Sequence, residues 1–289
     1  MTNFELYRLK KAGMSNLMIN RFLAYLAVIE ADGQKGQPLL HLPKFIRLSA
    51  MSHQAQFWEK YRRLDLKALR AEFLKFPSFS INDAVYPESL REIYNPPVLL
   101  FYQGDLTLLE QPKLAFVGSR ACSRKGVSSV QKIIKDLGAR CVIVSGLARG
   151  IDTASHIAAM KNGGQTIGII GTGLDVSYPR ENRQLQAYLA THQLLLTEYG
   201  ASEKPLAYHF PERNRIIAGL SRGVVVTEAK LRSGSLITCE RAMEEGRDVF
   251  AIPGNITDGL SDGCHHLIQE GAKLVYQGQD ILIEYPDWS

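Results

Sequence analysis

Five segments of the chain combine glycine with arginine, serine or asparagine, and four of them follow a short apolar run. They are FVGSR (116–120), SGLARGID (145–152), GTGLDVSYPREN (171–182), FPERNRIIAGLS (210–221) and VTEAKLRSGSLIT (226–238). Glycine lets a ligand approach the main chain, and Gly118 and Gly146 do so beside Ser119 and Arg120 or at the start of an expected helix. A guanidinium offers a planar fork to phosphate, and Arg120, Arg149, Arg180, Arg213 and Arg215 supply five. Asn214 adds an amide, while Ser233, Gly234 and Ser235 resemble an anion-binding nest ahead of another helix. A single loop of this kind is ordinary turn chemistry. Five at successive strand ends predict a trough lined for phosphates. Tyr178, Tyr208 and Phe210 flank the loops, either as stacking surfaces for bases or as plain core or rim aromatics. AIPGNITDG (251–259) is a further glycine and proline loop.

Several chemistries lack their residues. No GxGxxG is followed by an acidic ribose ligand, so a dinucleotide cofactor is unsupported. No P-loop and no GxSxG nucleophile elbow occur. Cys122, Cys141, Cys239 and Cys264 form no CxxC pair and have no zinc spacing with histidine. No cofactor, no metal and no catalytic residue are therefore expected. Asp175, Glu198 and Glu228 are the acid/base candidates, each expected to cap a helix or orient an arginine instead. Asp152 is expected to be an N-cap.

Loops of this kind need a frame. From residue 111 short β-branched runs alternate with helical stretches. Strands are expected at Leu114–Val117, Cys141–Ser145, Thr166–Ile170, Leu194–Thr197, Gly223–Thr227, Val249–Ile252 and Leu274–Val275. Helices are expected at Gly126–Leu137, Asp152–Asn162, Glu181–Thr191, Arg213–Leu220, Ser235–Glu245 and His265–Glu270. The alternation predicts an α/β fold, a Rossmann-type doubly wound and mainly parallel sheet, with ligands outside the strands' carboxyl ends. Residues 1–75 read as a small all-helical domain, with Ser15 as a cap and a loop at Asp32–Pro43. Residues 76–110, rich in proline and aromatics with a strand at Val98–Tyr102, read as a bridge into the 111–289 domain.

The 289 residues carry a net charge of +5, but unevenly. Residues 1–75 hold 13 Lys/Arg against 6 Asp/Glu, and the remainder holds 21 against 23. A polyanion bound by the α/β part must therefore meet a local constellation rather than bulk charge. The basic N-terminal segment is either a solvated helical surface or a direct contact. No apolar run spans a bilayer, and MTNFELYRLKKAG has no signal-peptide core, so a cytoplasmic protein is expected.

The same loops resemble the DNA-processing protein A (DprA/Smf) family. The matching runs are FVGSR, VSGLARGIDTASHIAAM, IGTGLDVSYPRENRQL, the stretch from FPERNRIIAGLS to RDVFAIPG, and GCHHLIQEGAKLV. KFPSFSI and VLLFYQGDLTLL fit a streptococcus-like member. The resemblance implies an extended Rossmann domain behind a sterile-alpha-motif-like helical domain, and single-stranded DNA held in a positively lined pocket. It also implies homodimers that protect incoming strands and load the RecA recombinase during natural transformation, without enzymatic activity. Carried over by motif, Gly118, Ser119, Arg120, Arg180, Asn214, Arg215, Ser233 and Ser235 would touch DNA. Pairing would use the apolar C-terminal region around His265, Leu267, Ile268 and Leu274, residues that could equally fill the core. Many members continue into a winged-helix domain, whereas EYPDWS follows the last expected strand here, so functions tied to that domain are expected to be missing. GMSNLM lacks the GxG turn of a DNA-binding helix–hairpin–helix. The alternative function is a phosphoribohydrolase-like enzyme using Arg215, Glu228 and Glu240, although SGSLIT replaces that enzyme's PGGxGT loop.

Overall fold

The structure, a computed structural model, describes residues 1–33 and 36–288. Five helices come first: α1 (Asn3–Lys11), α2 (Asn16–Ala31), α3 (Leu42–Leu48), α4 (Gln54–Arg63) and α5 (Leu66–Phe73). Thr2 and Glu5 close a capping box on α1, and Ser15 accepts from Met18 N–H to cap α2 as its sequence position suggested. The loop expected at 32–43 is shorter. Pro38–His41 form a 3-10 turn and α3 begins at Leu42, since proline in a first turn loses no helical hydrogen bond. Gln34 and Lys35 of that loop lie outside the described residues.

A nine-stranded sheet follows. Its strands are β1 (Ser78–Ser80), β2 (Leu99–Gly104), β3 (Lys113–Gly118), β4 (Val142–Ser145), β5 (Thr166–Ile169), β6 (Leu194–Thr197), β7 (Gly223–Thr227), β8 (Asp248–Ala251) and β9 (Lys273–Leu274). The remaining helices are α6 (Glu88–Arg91), α7 (Arg124–Leu137), α8 (Ile151–Lys161), α9 (Arg183–His192), α10 (His209–Leu220), α11 (Gly234–Glu244), α12 (Asp262–Gln269) and α13 (Gln279–Leu282). Strand order is β1-β2-β6-β5-β4-β3-β7-β8-β9. β3 to β9 run parallel, while β2 pairs antiparallel with β6 and β1 with β2. The stretch 76–110 thus does more than bridge, because it adds two strands to the sheet edge. The chain winds outward from β3 to β6 and then returns to place β7 against β3. The switch of direction therefore lies between the ends of β3 and β7, where Gly118 pairs with Thr227.

Burial on both faces explains the apolar strands. Leu114 and Phe116 of β3 meet Val130, Ile133 and Ile134 of α7. The alternate residues, Ala115 and Val117, share the opposite core with Ile216 and Ile217 of α10 and Leu236 of α11. Each fully buried side chain of this size is worth about 1.5–3 kcal/mol. Tyr285 and Trp288, beyond the last strand, also fill the α7 side. The helical module is not separate from this core. Leu6, Tyr7 and Phe22 cluster with Leu99, Phe101, Ile170 and Leu195, and Tyr7 meets Phe101 edge-on at 5.3 Å.

Two starts differ from the sequence expectation in a way that matters for the site. α10 begins at His209, not Arg213, so Arg213 and Asn214 occupy its second turn. α8 is capped by Gly150, and Asp152 lies within its first turn. The Asp152 carboxylate reaches back to accept from Ala148 N–H at 3.2 Å.

Candidate nucleic-acid interface

At the carboxyl ends of β3, β4, β5 and β7 two cavities join. The smaller, about 90 Å³, is walled by Arg120, Arg149, Thr172, Tyr178, Phe210 and Arg213, with Gly146 beside them. The larger is an open trough of about 840 Å³. Gly118, Ser119, Asn214, Lys230, Ser233 and Ser235 line it, and it shares Arg120, Tyr178, Phe210 and Arg213 with the smaller one.

Arg213 forms the floor. It is buried and donates to the carbonyls of Gly146 and Ile169. Burial lowers its pKa to about 10 against the opposing charge of Asp152, so it remains a cation at neutral pH. Asp152 is buried too, and burial raises its pKa against the pull of Arg213. Gly146 permits this arrangement, since a Cβ there would stand 2.1 Å from Arg213 Nη1. Above the floor the exposed Arg120 guanidinium lies 5.6 Å from the Phe210 ring centroid. Tyr178 leans on the same ring at 5.4 Å. These rings and guanidinium groups give the small cavity faces on which a flat, unpaired base can rest.

Carboxylates of the chain already occupy two helix starts, one of which, that of α8, was expected to offer amides. Glu228 accepts from Ser123 N–H at 2.7 Å and from the Ser123 hydroxyl, holding the start of α7. Asp152 takes Ala148 N–H before α8. The α11 start differs: Ser233 makes no capping hydrogen bond, and its hydroxyl lies 2.9 Å from that of Ser235. Asn214 braces this turn by donating to Gly234 O at 3.3 Å. The α11 start therefore keeps donors facing the trough.

All but two of the expected DNA-contacting residues come together here. Arg180 is exposed and lines neither cavity. Arg215 points away, buried in an ion pair with Glu198. It is one helical step from Asn214, a rotation of about 100°, which carries it to another face. Lys230 was missed, although VTEAKLRSGS sets a cation just ahead of the serines. Among the aromatics, Tyr178 and Phe210 line the site, while Tyr208 stands outside against His209. The acid/base candidates are all engaged: Asp175 accepts from Ser202 N–H at 2.6 Å, Glu198 holds Arg215 and Glu228 holds Ser123. In the C-terminal region, Leu267 fills the core at 4% exposure, so it offers no surface for pairing. Ile268 packs partly against that core and His265 bonds Gly254, whereas Leu274 is 48% exposed. Among the described residues no His/Cys/Asp/Glu group could hold a metal ion, and no helix is long and apolar enough to cross a membrane.

Fold and site define a doubly wound α/β protein with a cation-lined switch point and a helical module packed on its sheet. Residues 78–286 match the family described as DNA recombination-mediator protein A, and residues 1–69 match the DNA processing protein A sterile alpha motif domain. The chain belongs to the DNA recombination-mediator protein A family. It is 60% identical to the DNA processing protein DprA of Streptococcus pneumoniae over 98% of both chains, and 44% identical to that of Bacillus subtilis over 84% of this chain and 82% of that one. A crystal structure of the S. pneumoniae protein superposes with a TM-score of 0.92 over 98% of each chain. A Helicobacter pylori DNA processing protein A, from a structure described for its single-stranded DNA binding mode, is 27% identical. That match has a TM-score of 0.65 and covers 74% of this chain and 97% of the other.

Proposed function

We propose that this protein holds single-stranded DNA in the trough and, as a cytoplasmic homodimer without catalytic turnover, protects incoming strands and loads RecA onto them during natural transformation. The observation that carries the DNA reading is the convergence of Arg120, Arg149, Lys230, Asn214 and the α11 start around a slot walled by Tyr178 and Phe210. Guanidinium and amide donors suit phosphates, and the small cavity suits one splayed base but excludes a paired one. The Helicobacter pylori relative's described binding of single strands supports the same reading. In this reading residues 111–289 are the DNA-binding unit, residues 1–75 form the helical unit, and 76–110 join them while adding β1 and β2 to the sheet edge.

The test compares single and double strands across a salt series. The parent should prefer single strands and weaken as salt rises. Arg120→Ala should bind about ten- to a hundredfold more weakly and lower the salt slope by about 0.7. Equal binding by the variant and the parent would remove Arg120 from the site. The phosphoribohydrolase reading fits poorly, because of Arg215, Glu228 and Glu240 only Glu228 lines the trough. Release of free base from nucleoside monophosphates would reinstate it.

A further inference from the structure

The loop 198–208, between β6 and α10, has two sides. One side faces the trough, where Pro205 and Ala207 contribute to the lining. The other is held by the helical module. Lys10 of α1 pairs with Glu198 at 3.1 Å, and Asn16 of α2 donates to the same oxygen at 2.9 Å. Arg215 of α10 takes the second oxygen of Glu198, so one buried carboxylate joins α1, α2 and α10. Farther along, Lys11 pairs with Glu203 at 2.9 Å and with Glu72 of α5 at 3.0 Å. Tyr7, which also bonds Glu72, packs so close that a Cβ on Gly200 would meet its hydroxyl.

The loop passes this restraint inward. Gly173 N–H donates to Glu203 O at 3.0 Å, and Ser202 bonds Asp175 through both N–H and hydroxyl. Both partners belong to the GTGLD turn, whose Gly171 and Thr172 line the small cavity and which leads on to Tyr178. Tyr199 stacks on His209 at 3.8 Å, and His209 in turn bonds Gly171 O. The clamped loop thus fixes the entry to α10, the helix that carries Arg213 and Asn214, and one wall of the small cavity.

We propose that Lys10 and Lys11 are positioning residues: through the loop 198–208 the helical module sets the geometry of the trough without itself touching DNA. Two of the 13 basic residues of the N-terminal segment are thus engaged by carboxylates of the chain itself. The positioning role rests on the trough being the single-strand site.

Two substitutions separate positioning from simple charge, because both break the Lys11–Glu203 pair from opposite ends, Lys11→Met removing the Lys11–Glu72 pair as well. Lys11→Met removes a positive charge and Glu203→Met a negative one, both at sites roughly a quarter to a third exposed, where the fold tolerates change. Positioning predicts that both variants bind single strands about five- to twentyfold more weakly, with the salt slope of the parent, and that Lys11→Arg restores binding. Thermal unfolding of each variant shows that it is folded. If Glu203→Met bound as tightly as the parent or more tightly, charge alone would be at work and the proposal would fall. A reduced salt slope in Lys11→Met alone would make Lys11 a direct DNA contact and also overturn it. Failure of the parent itself to bind single strands would instead overturn the DNA reading, and this proposal with it.

Discussion

Three adjacent residues of α10 show how finely single positions are assigned. Arg213, Asn214 and Arg215 are equally polar in sequence, yet one forms the floor, one braces the α11 start and one leaves for Glu198. Helical rotation separates them, and composition cannot report which face turns inward. Gly146, read from the sequence as opening a helix start to an anion, is needed for a reason only the fold shows: the buried guanidinium of Arg213 occupies the space a side chain would need. Gly146→Ala should therefore destabilise the fold by about 1–3 kcal/mol through overpacking and also weaken DNA binding. Urea unfolding checks the first effect, and an unchanged midpoint would mean that Arg213 moves aside freely.

Elements were easier to read than their ends. β6 and β7 run over Leu194–Thr197 and Gly223–Thr227 as expected, because strands buried on both faces are continuous apolar runs. The helix starts shifted because side chains and proline, not periodicity, decide where the first turn closes. α8 carries a property its pattern did not announce. His156 is fully buried, its Nδ1 lying 2.6 Å from the Thr166 hydroxyl, which itself donates to Ile143 O. Nδ1 must then carry the proton, and Nε2 has no hydrogen-bond partner among the described residues. Burial, aided by Arg213, lowers its pKa to about 3. The folded value lies below the unfolded one, so this group's stabilisation is complete above about pH 6.5 and is lost as pH falls toward 3. Each unit in that window costs up to about 1.4 kcal/mol. Unfolding midpoints measured from pH 7 to 4 should fall more steeply for the parent than for His156→Gln, and parallel curves would count against the assignment.

At the scale of the molecule, the C-terminal surface separates core from contact. Leu267 is spent inside, while Leu274, Tyr276 and Ile283 remain exposed. If copies pair through this face, Leu274→Glu should shift the protein to monomer in light scattering and reduce avidity for long single strands, while short ones bind as before. A dimer that persisted would place the interface elsewhere. The sequence by itself determined the doubly wound frame, the order of its loops and the family, because strand periodicity and glycine-bearing turns are local and survive without coordinates. Only the tertiary structure decided which cations face the trough, which carboxylates occupy the helix starts, and that the helical module grips the loop behind the site. Those outcomes depend on side-chain direction and on partners 188 and 192 residues apart in the chain, as Lys10 is from Glu198 and Lys11 from Glu203, and no local pattern encodes such distances.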